Sequence, residues 1–149
     1  MAVLRATRRL LALPLSEVAD LVIAQRMLLA ALHSVRRRPR GQLLHPLAAA
    51  AATRGDDADR RWIERMATAV DRVARFGVFR PTCLVRAVAL ERLLQRRHAG
   101  PAAVRVGVHR ERDRLFAHAW IELGGTVVGD DPAFVRRFVP LHDFSALPQ

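Results

Sequence analysis

The feature that most constrains the fold is a change in the spacing of apolar residues near residue 100. Before that point apolar residues recur every three or four positions, as at Trp62, Met66 and Val73, which is typical of helices with one buried face. After it they alternate with other residues, as in AAVRVGV, which is typical of a strand. Helices followed by neighbouring strands predict an α+β fold.

One helix stands out among those that the spacing predicts. Thr82 is a candidate N-cap, and the helix after it begins at Cys83 and runs to about His98. Its apolar residues cover most of its circumference, which predicts a buried central helix. The same spacing predicts further helices over about 4–13, 16–36, 44–52 and 60–76, the last with Asp59 as its N-cap.

The second part of the chain predicts an antiparallel meander of three strands. The first covers 103–108, and the polar run HRERDR follows it as a turn. The second covers 115–123 and the third 126–130, with Gly124-Gly125 as a two-residue hairpin turn between them. We therefore predict one domain over 1–149, with helices to about residue 77 and the Cys83 helix and sheet after it.

The charge of the chain is strongly positive. It has 25 basic and 14 acidic residues, a net charge of +11, and all of its basic residues are Arg. Lys, Asn and Tyr are absent, a bias typical of a GC-rich genome, so part of the Arg excess reflects codon usage. The remaining charge favours an acidic partner. A nucleic-acid-binding protein is one alternative, but the Arg residues are scattered along helices and no binding motif is present.

A single cysteine excludes an internal disulfide and favours a reducing compartment. The N-terminal residues lack the long apolar core and cleavage site of a secretory signal. The most apolar window, Val18–Leu32, is interrupted by Asp20 and Arg26. We predict a cytoplasmic protein that does not span a membrane.

Cys83, His118 and an aspartate occur in an order that suits nucleophilic catalysis. A thiol attacks as its thiolate, which the amides of a helix N-terminus and a nearby imidazolium both stabilise. Cys83 lies in the first turn of its helix, and its backbone N–H is a candidate donor to a developing oxyanion. His118, on a strand, is the candidate base, and a carboxylate would orient its ring.

The hairpin leaves the choice of carboxylate open. With Gly124-Gly125 as the turn, the ladder would place Asp131 opposite His118. A bulge of one residue would bring Asp130 there instead. Taken singly, the cysteine would be a buried apolar residue, the histidine structural and the aspartates a solvated turn or a helix cap. Their order and element types together favour a thiol hydrolase or acyltransferase.

Three runs carry a family resemblance over about residues 78–140: PTCLVRAVALERLLQRR, the GV of VRVGVHR, and FAHAWIELGGTVVGDD. They resemble the transglutaminase-like cysteine peptidases of lasso-peptide biosynthesis, which have a transglutaminase-like or papain-like fold. The resemblance implies that Cys83 is the nucleophile and His118 the general base and acid. The family's third residue lies twelve positions after the histidine, which selects Asp130 over Asp131.

The resemblance also implies a reaction and partners. Such enzymes remove the leader from a ribosomally made precursor peptide, and a separate ATP-dependent cyclase then closes the ring. A recognition domain holds the leader, and we expect a separate recognition protein here, because the region before Cys83 shows no strand pattern. No cofactor is expected, and the histidines show no metal-ligand spacing. An acyl or amide transferase, such as an arylamine acetyltransferase, is the alternative from the same fold group.

Three residues near the predicted triad have open roles. Trp120 shares the strand face of His118 and could form a wall of the site or part of the core. Glu122 lies on that face too, and we expect it to be exposed. Arg86, one turn after Cys83, could meet the peptide or a carboxylate.

Overall fold

The computed structural model describes residues 14–37, 57–97 and 102–141. Helices come first and an antiparallel sheet follows, which confirms the predicted α+β class. The predicted helices over 4–13 and 44–52 lie outside the described residues. The elements are α1 (Leu15–Arg37), α2 (Asp57–Phe76), α3 (Cys83–Arg96), β1 (Ala102–Glu111), β2 (Arg114–Leu123), β3 (Thr126–Val128), α4 (Pro132–Val135) and β4 (Val139–Pro140).

Helix α3 is the centre of the core, as its sequence predicts. It packs against α1 and α2 on one side and against β1 and β2 on the other. Burying apolar side chains around the whole circumference is the main stabilising contribution of such a helix. The buried residues of α3 are Val85, Ala87, Val88, Ala89, Leu90, Leu93 and Leu94.

Two ion pairs join α1 to α2. Asp20 is buried, and both of its carboxylate oxygens lie 2.8–3.0 Å from nitrogens of Arg65. Glu17, one turn before Asp20 on α1, lies 3.1 Å from Arg72. A buried carboxylate is unfavourable without a partner, so the two-oxygen contact with Arg65 fixes how α1 lies against α2. Both helices then hold α3 in place.

Among the described helices, α1 is the one that is long and apolar enough to cross a membrane by length and composition. This is a weak indication, because the core helix of a soluble protein meets the same criterion. In the structure, the inner face of α1 packs on protein, with Ala24, Leu28 and Ala31 fully buried.

The strands form one sheet in the order β3-β2-β1-β4, antiparallel throughout. Gly124 and Gly125 form the second hairpin turn with φ of 56° and 82°, and the predicted register holds from Leu123↔Thr126 to Ile121↔Val128. The first turn is tighter than predicted: it comprises Arg112 and Asp113, because β1 continues through Glu111 and pairs it with Arg114.

Other boundaries differ from the predictions. Helix α2 begins at Asp57, so Asp59 lies inside its first turn and pairs with Arg97 at 3.6 Å instead of capping the helix. Strand β3 ends at Val128, two residues early, because the next residue, Gly129, adopts a φ of +72° that breaks the strand. The short elements α4 and β4 were not predicted.

The two faces of β2 have different surroundings. Ala119 and Ile121 point to the helices and belong to the main core. Trp120 points to the other face, where it forms a second buried cluster with Val135 and Phe138. This outer face also carries His118, because successive residues of a strand alternate between faces.

Candidate active site

Cys83 is the first residue of α3, and its side chain is partly buried. Thr82 caps the helix: its Oγ1 accepts the N–H of Val85 at 3.4 Å, and its carbonyl accepts the N–H of Arg86 at 3.1 Å. Within the described part of the chain, the N–H groups of Cys83 and Leu84 have no hydrogen-bond partner. Two N–H groups without a partner, beside a thiol, can stabilise negative charge that forms there.

His118 and Asp130 are in direct contact. The Nε2 atom of the imidazole lies 2.6 Å from Oδ2 of the carboxylate, and both side chains are mostly shielded from solvent. An ionised carboxylate only accepts hydrogen bonds, so this contact assigns the Nε2 proton to the histidine and leaves Nδ1 as the nitrogen that can take up another proton. The aspartate thereby fixes both the tautomer and the ring orientation.

The turn at Gly129 decides which aspartate meets His118. The β2–β3 ladder stops at Val128, and the positive φ of Gly129 redirects the chain so that Asp130 reaches the imidazole. The positive φ is what calls for glycine at position 129; a Cβ there would also come 2.8 Å from Leu90 Cδ2, the end of a side chain that would have to shift. Asp131 instead caps α4, where its Oδ1 accepts the N–H of Ala133 at 2.8 Å.

Both oxygens of Asp130 have partners. Oδ2 contacts His118, and Oδ1 accepts the N–H of Asp131 at 2.9 Å. A carboxylate held at both oxygens is fixed in orientation.

Cys83, His118 and Asp130 line one pocket, between the N-terminus of α3 and the edge of the sheet where β3 ends. The structure therefore brings the three predicted site residues to one place. Their catalytic roles stay predictions, since proximity to a pocket does not itself show chemistry.

Aromatic rings surround the His118 ring on the outer face. Trp120 lies nearly parallel to it, with ring centroids 6.3 Å apart and an angle of 15° between the planes. Phe134 and Phe138 approach to 5.2 and 5.3 Å. Such contacts restrict the rotation of an imidazole. The sequence predicted that Trp120 shares the strand face of His118.

Gly107 is the cross-strand neighbour of His118 and explains the GV of the VRVGVHR run. A Cβ at this position would lie 2.8 Å from the ring of Trp120 and 3.0 Å from Cβ of Phe138. The glycine therefore leaves room for the aromatic rings beside His118.

Glu122 is partly buried, which makes the expectation of an exposed side chain wrong. Its Oε1 accepts the indole N–H of Trp120 at 3.1 Å, and its Oε2 lies 3.0 Å from Nε of Arg105. Arg105 is the cross-strand partner of Trp120, so it lies beside Glu122 on the same face. This chain of contacts holds the indole that faces His118.

Arg86 lines the pocket one turn after Cys83 and meets a carboxylate, one of its two predicted roles. Its guanidinium lies 3.0 Å from Oδ1 of Asp71 on α2, whose Oδ2 also contacts Arg75 at 2.9 Å. The pairing holds the Arg86 cation beside the pocket. Among the described residues no cluster of His, Cys, Asp and Glu could hold a metal ion.

The comparison with family sequences matches this architecture. The sequence model of the transglutaminase-like superfamily covers residues 27–143, most of the chain. The chain belongs to the transglutaminase-like superfamily. Members of this superfamily are in general cysteine proteases or transferases. The match begins inside α1, so it takes in the supporting helices as well as the Cys83 helix and the sheet. No curated protein and no solved structure matches this chain.

Proposed function

We propose that this transglutaminase-like protein is a cysteine peptidase that removes the leader from a lasso-peptide precursor. The observation that carries the proposal is the 2.6 Å contact between His118 and Asp130 in the pocket that Cys83 also lines. The superfamily match supports thiol chemistry in general. The resemblance of the PTCLVRAVALERLLQRR and HAWIE runs to lasso-peptide leader peptidases supports the finer assignment.

The proposed reaction proceeds through an acyl-enzyme. Nδ1 of His118 takes the proton of Cys83, and the thiolate attacks the scissile carbonyl. The amine leaves with a proton from His118, and a thioester joins the leader to Cys83. Water, deprotonated by His118, then attacks the thioester, and the leader acid and the free thiol are released.

The N-terminus of α3 would stabilise the tetrahedral intermediate. The N–H groups of Cys83 and Leu84 are open among the described residues, and hydrogen bonds to a developing oxyanion are among the largest catalytic contributions. Asp130 would stabilise the imidazolium that forms at each proton transfer without itself becoming protonated.

The proposal includes a separate recognition protein and a cytoplasmic location. The described helices α1 and α2 bury their inner faces around α3, so we assign them the role of supporting the catalytic helix. The leader would then be presented by a second protein, and the released core would pass to an ATP-dependent cyclase. A single thiol that must stay reduced fits the cytoplasm.

Mass spectrometry of the precursor peptide, incubated with its recognition protein and this chain, tests the proposal. We expect the wild type to release leader and core, and Cys83→Ala to release neither. The variant should keep the melting temperature of the wild type, since a partly buried thiol contributes little to stability. Cleavage by Cys83→Ala would contradict the proposal. Transfer of the leader to an added amine in preference to water would favour the transferase alternative.

A further inference from the structure

Strand β2 has an open edge beside the pocket. On the side of β3, its pairing with described residues runs from Ile121 to Leu123, because β3 has three residues. From Arg114 to Trp120, no described strand lies on that side, although β1 pairs along the whole other side.

The backbone groups of every second residue point out of this edge. The carbonyl of Val106 accepts the N–H of Leu141 from the β4 side, so the polar groups of Val106 point away from β2. The residue directly opposite Val106 is Ala119. In an antiparallel pair, its backbone N–H and C=O groups then also point away from the partner strand, towards the open edge of β2. By alternation the same holds for Ala117 and Leu115. None of these three hydrogen-bonds through its backbone to another described residue outside the sheet ladders.

From Leu115 to Ala117 the open edge is exposed and uncharged. Leu115 is 69% exposed and Phe116 42%, and Ala117 is exposed as well. The turn of this hairpin, from Arg110 to Arg114, is charged, but no charged residue lies from Leu115 to Ala117. Sheet edges are usually protected by charges or bulges, because free backbone groups pair readily with another chain. An unprotected apolar edge is therefore suited to binding an extended peptide.

The edge leads directly into the pocket. Ala119 lines the pocket together with Cys83 and His118. The five residues from Ala119 back to Leu115 span roughly 13 Å of strand. An extended peptide paired along them would have one end beside the thiol and the imidazole.

We propose that this edge binds the substrate itself, as an added strand of about four residues in line with β3. The inference rests on the proposed peptidase function and names how the scissile bond is positioned. Because the sheet is antiparallel throughout, the bound strand runs in the direction of β3, with its C-terminal end towards Leu115. The residues after the scissile bond, which begin the core peptide, therefore pair with Ala119, Ala117 and Leu115.

Proline substitutions test the edge without breaking the hairpin. Ala117→Pro and Leu115→Pro each remove an outward N–H and leave the hydrogen bonds to β1 in place. The matched control is Arg110→Pro, because Arg110 is the cross-strand partner of Leu115 and its own backbone groups point out of the opposite edge. Melting temperature and the alkylation rate of Cys83 with iodoacetamide show whether each variant keeps its fold and its thiol site.

We expect both edge variants to lower kcat/KM for precursor cleavage about tenfold or more, mainly through KM, which corresponds to the loss of one or two backbone hydrogen bonds. Arg110→Pro should cleave like the wild type. Should the edge variants melt early, precursors N-methylated at single residues after the scissile bond give a second test, with losses expected at alternate positions.

Other outcomes would separate this inference from the proposed function. A wild type that cleaves with a Cys83-dependent rate, together with unchanged KM in both edge variants and no alternation in the N-methyl series, would overturn the edge inference alone. A dimer in sedimentation that the edge variants dissociate without loss of cleavage would overturn it too, by assigning the edge to a second copy. If the wild type cleaves no precursor, both the edge inference and the proposed function are wrong.

Discussion

The two faces of β2 carry neighbouring residues with opposite roles. On the inner face Ala119 and Ile121 pack against the helices, 5% and 1% exposed, and make no polar contact through their side chains. On the outer face His118 contacts a carboxylate and three aromatic rings. One strand thus anchors the candidate base firmly, since the next two residues after His118, Ala119 and Trp120, belong to the two buried clusters.

The difference teaches how a small domain can position a polar site. The inner face is stabilised by apolar burial, which is not directional. The outer face depends on specific contacts, from Arg105 to Glu122 to Trp120 and from Asp130 to His118. We therefore expect changes on the inner face to affect stability, and changes on the outer face to affect cleavage.

The largest expected effect is that of Asp130→Asn on cleavage. An amide keeps the shape but cannot fix the imidazole in the same tautomer, and in a triad such a change lowers kcat by roughly 10⁴-fold. The melting temperature should change little. Steady-state cleavage of the precursor measures the effect.

Asp131→Asn is the matched control for Asp130→Asn. Asparagine is as good a helix cap as aspartate, so the cap on Ala133 is kept and both cleavage and stability should match the wild type. Equal losses in the two variants would contradict the assignment of the orienting carboxylate to Asp130.

The next effect is on stability, from Ile121→Ala on the inner face. The side chain is 1% exposed in the main core, and truncation of such a residue costs about 2–5 kcal/mol of unfolding free energy through lost burial and the cavity left behind. Urea denaturation followed by circular dichroism measures it. If Ile121→Ala lowers the unfolding free energy no more than a typical surface substitution does, the described difference between the two faces is wrong.

The smallest effect is expected from Glu122→Gln. The amide oxygen can still accept the indole N–H of Trp120, but the ion pair with Arg105 is lost. A partly exposed pair of this kind contributes up to about 1 kcal/mol, so cleavage should fall less than tenfold. Glu122→Ala, which removes the Trp120 contact as well, should cleave more slowly than Glu122→Gln; equal rates would exclude a role for the indole contact.

The sequence could predict what depends on local spacing. Apolar periodicity located α3 and its cap at Thr82, and the Gly124-Gly125 turn determined the β2–β3 register. The alternation of residues along a strand placed His118 and Trp120 on one face. Such features follow from residues close in the chain, where spacing alone decides the geometry.

What depended on single backbone angles or distant partners could not be predicted from spacing. The choice between Asp130 and Asp131 follows from the φ of Gly129, and the register allowed both; only the family spacing pointed to Asp130. The ion pairs of Asp20 with Arg65 and of Arg86 with Asp71 join different helices. A chain with 25 arginines offers too many possible partners for either pair to be deduced.

The most direct test of the central claim, that His118 and Asp130 act on the thiol of Cys83, is the rate of Cys83 alkylation by iodoacetamide at neutral pH. Alkylation reports the thiolate and needs no substrate. We predict that the wild type reacts faster than His118→Ala. Equal rates for the wild type and His118→Ala would contradict the account.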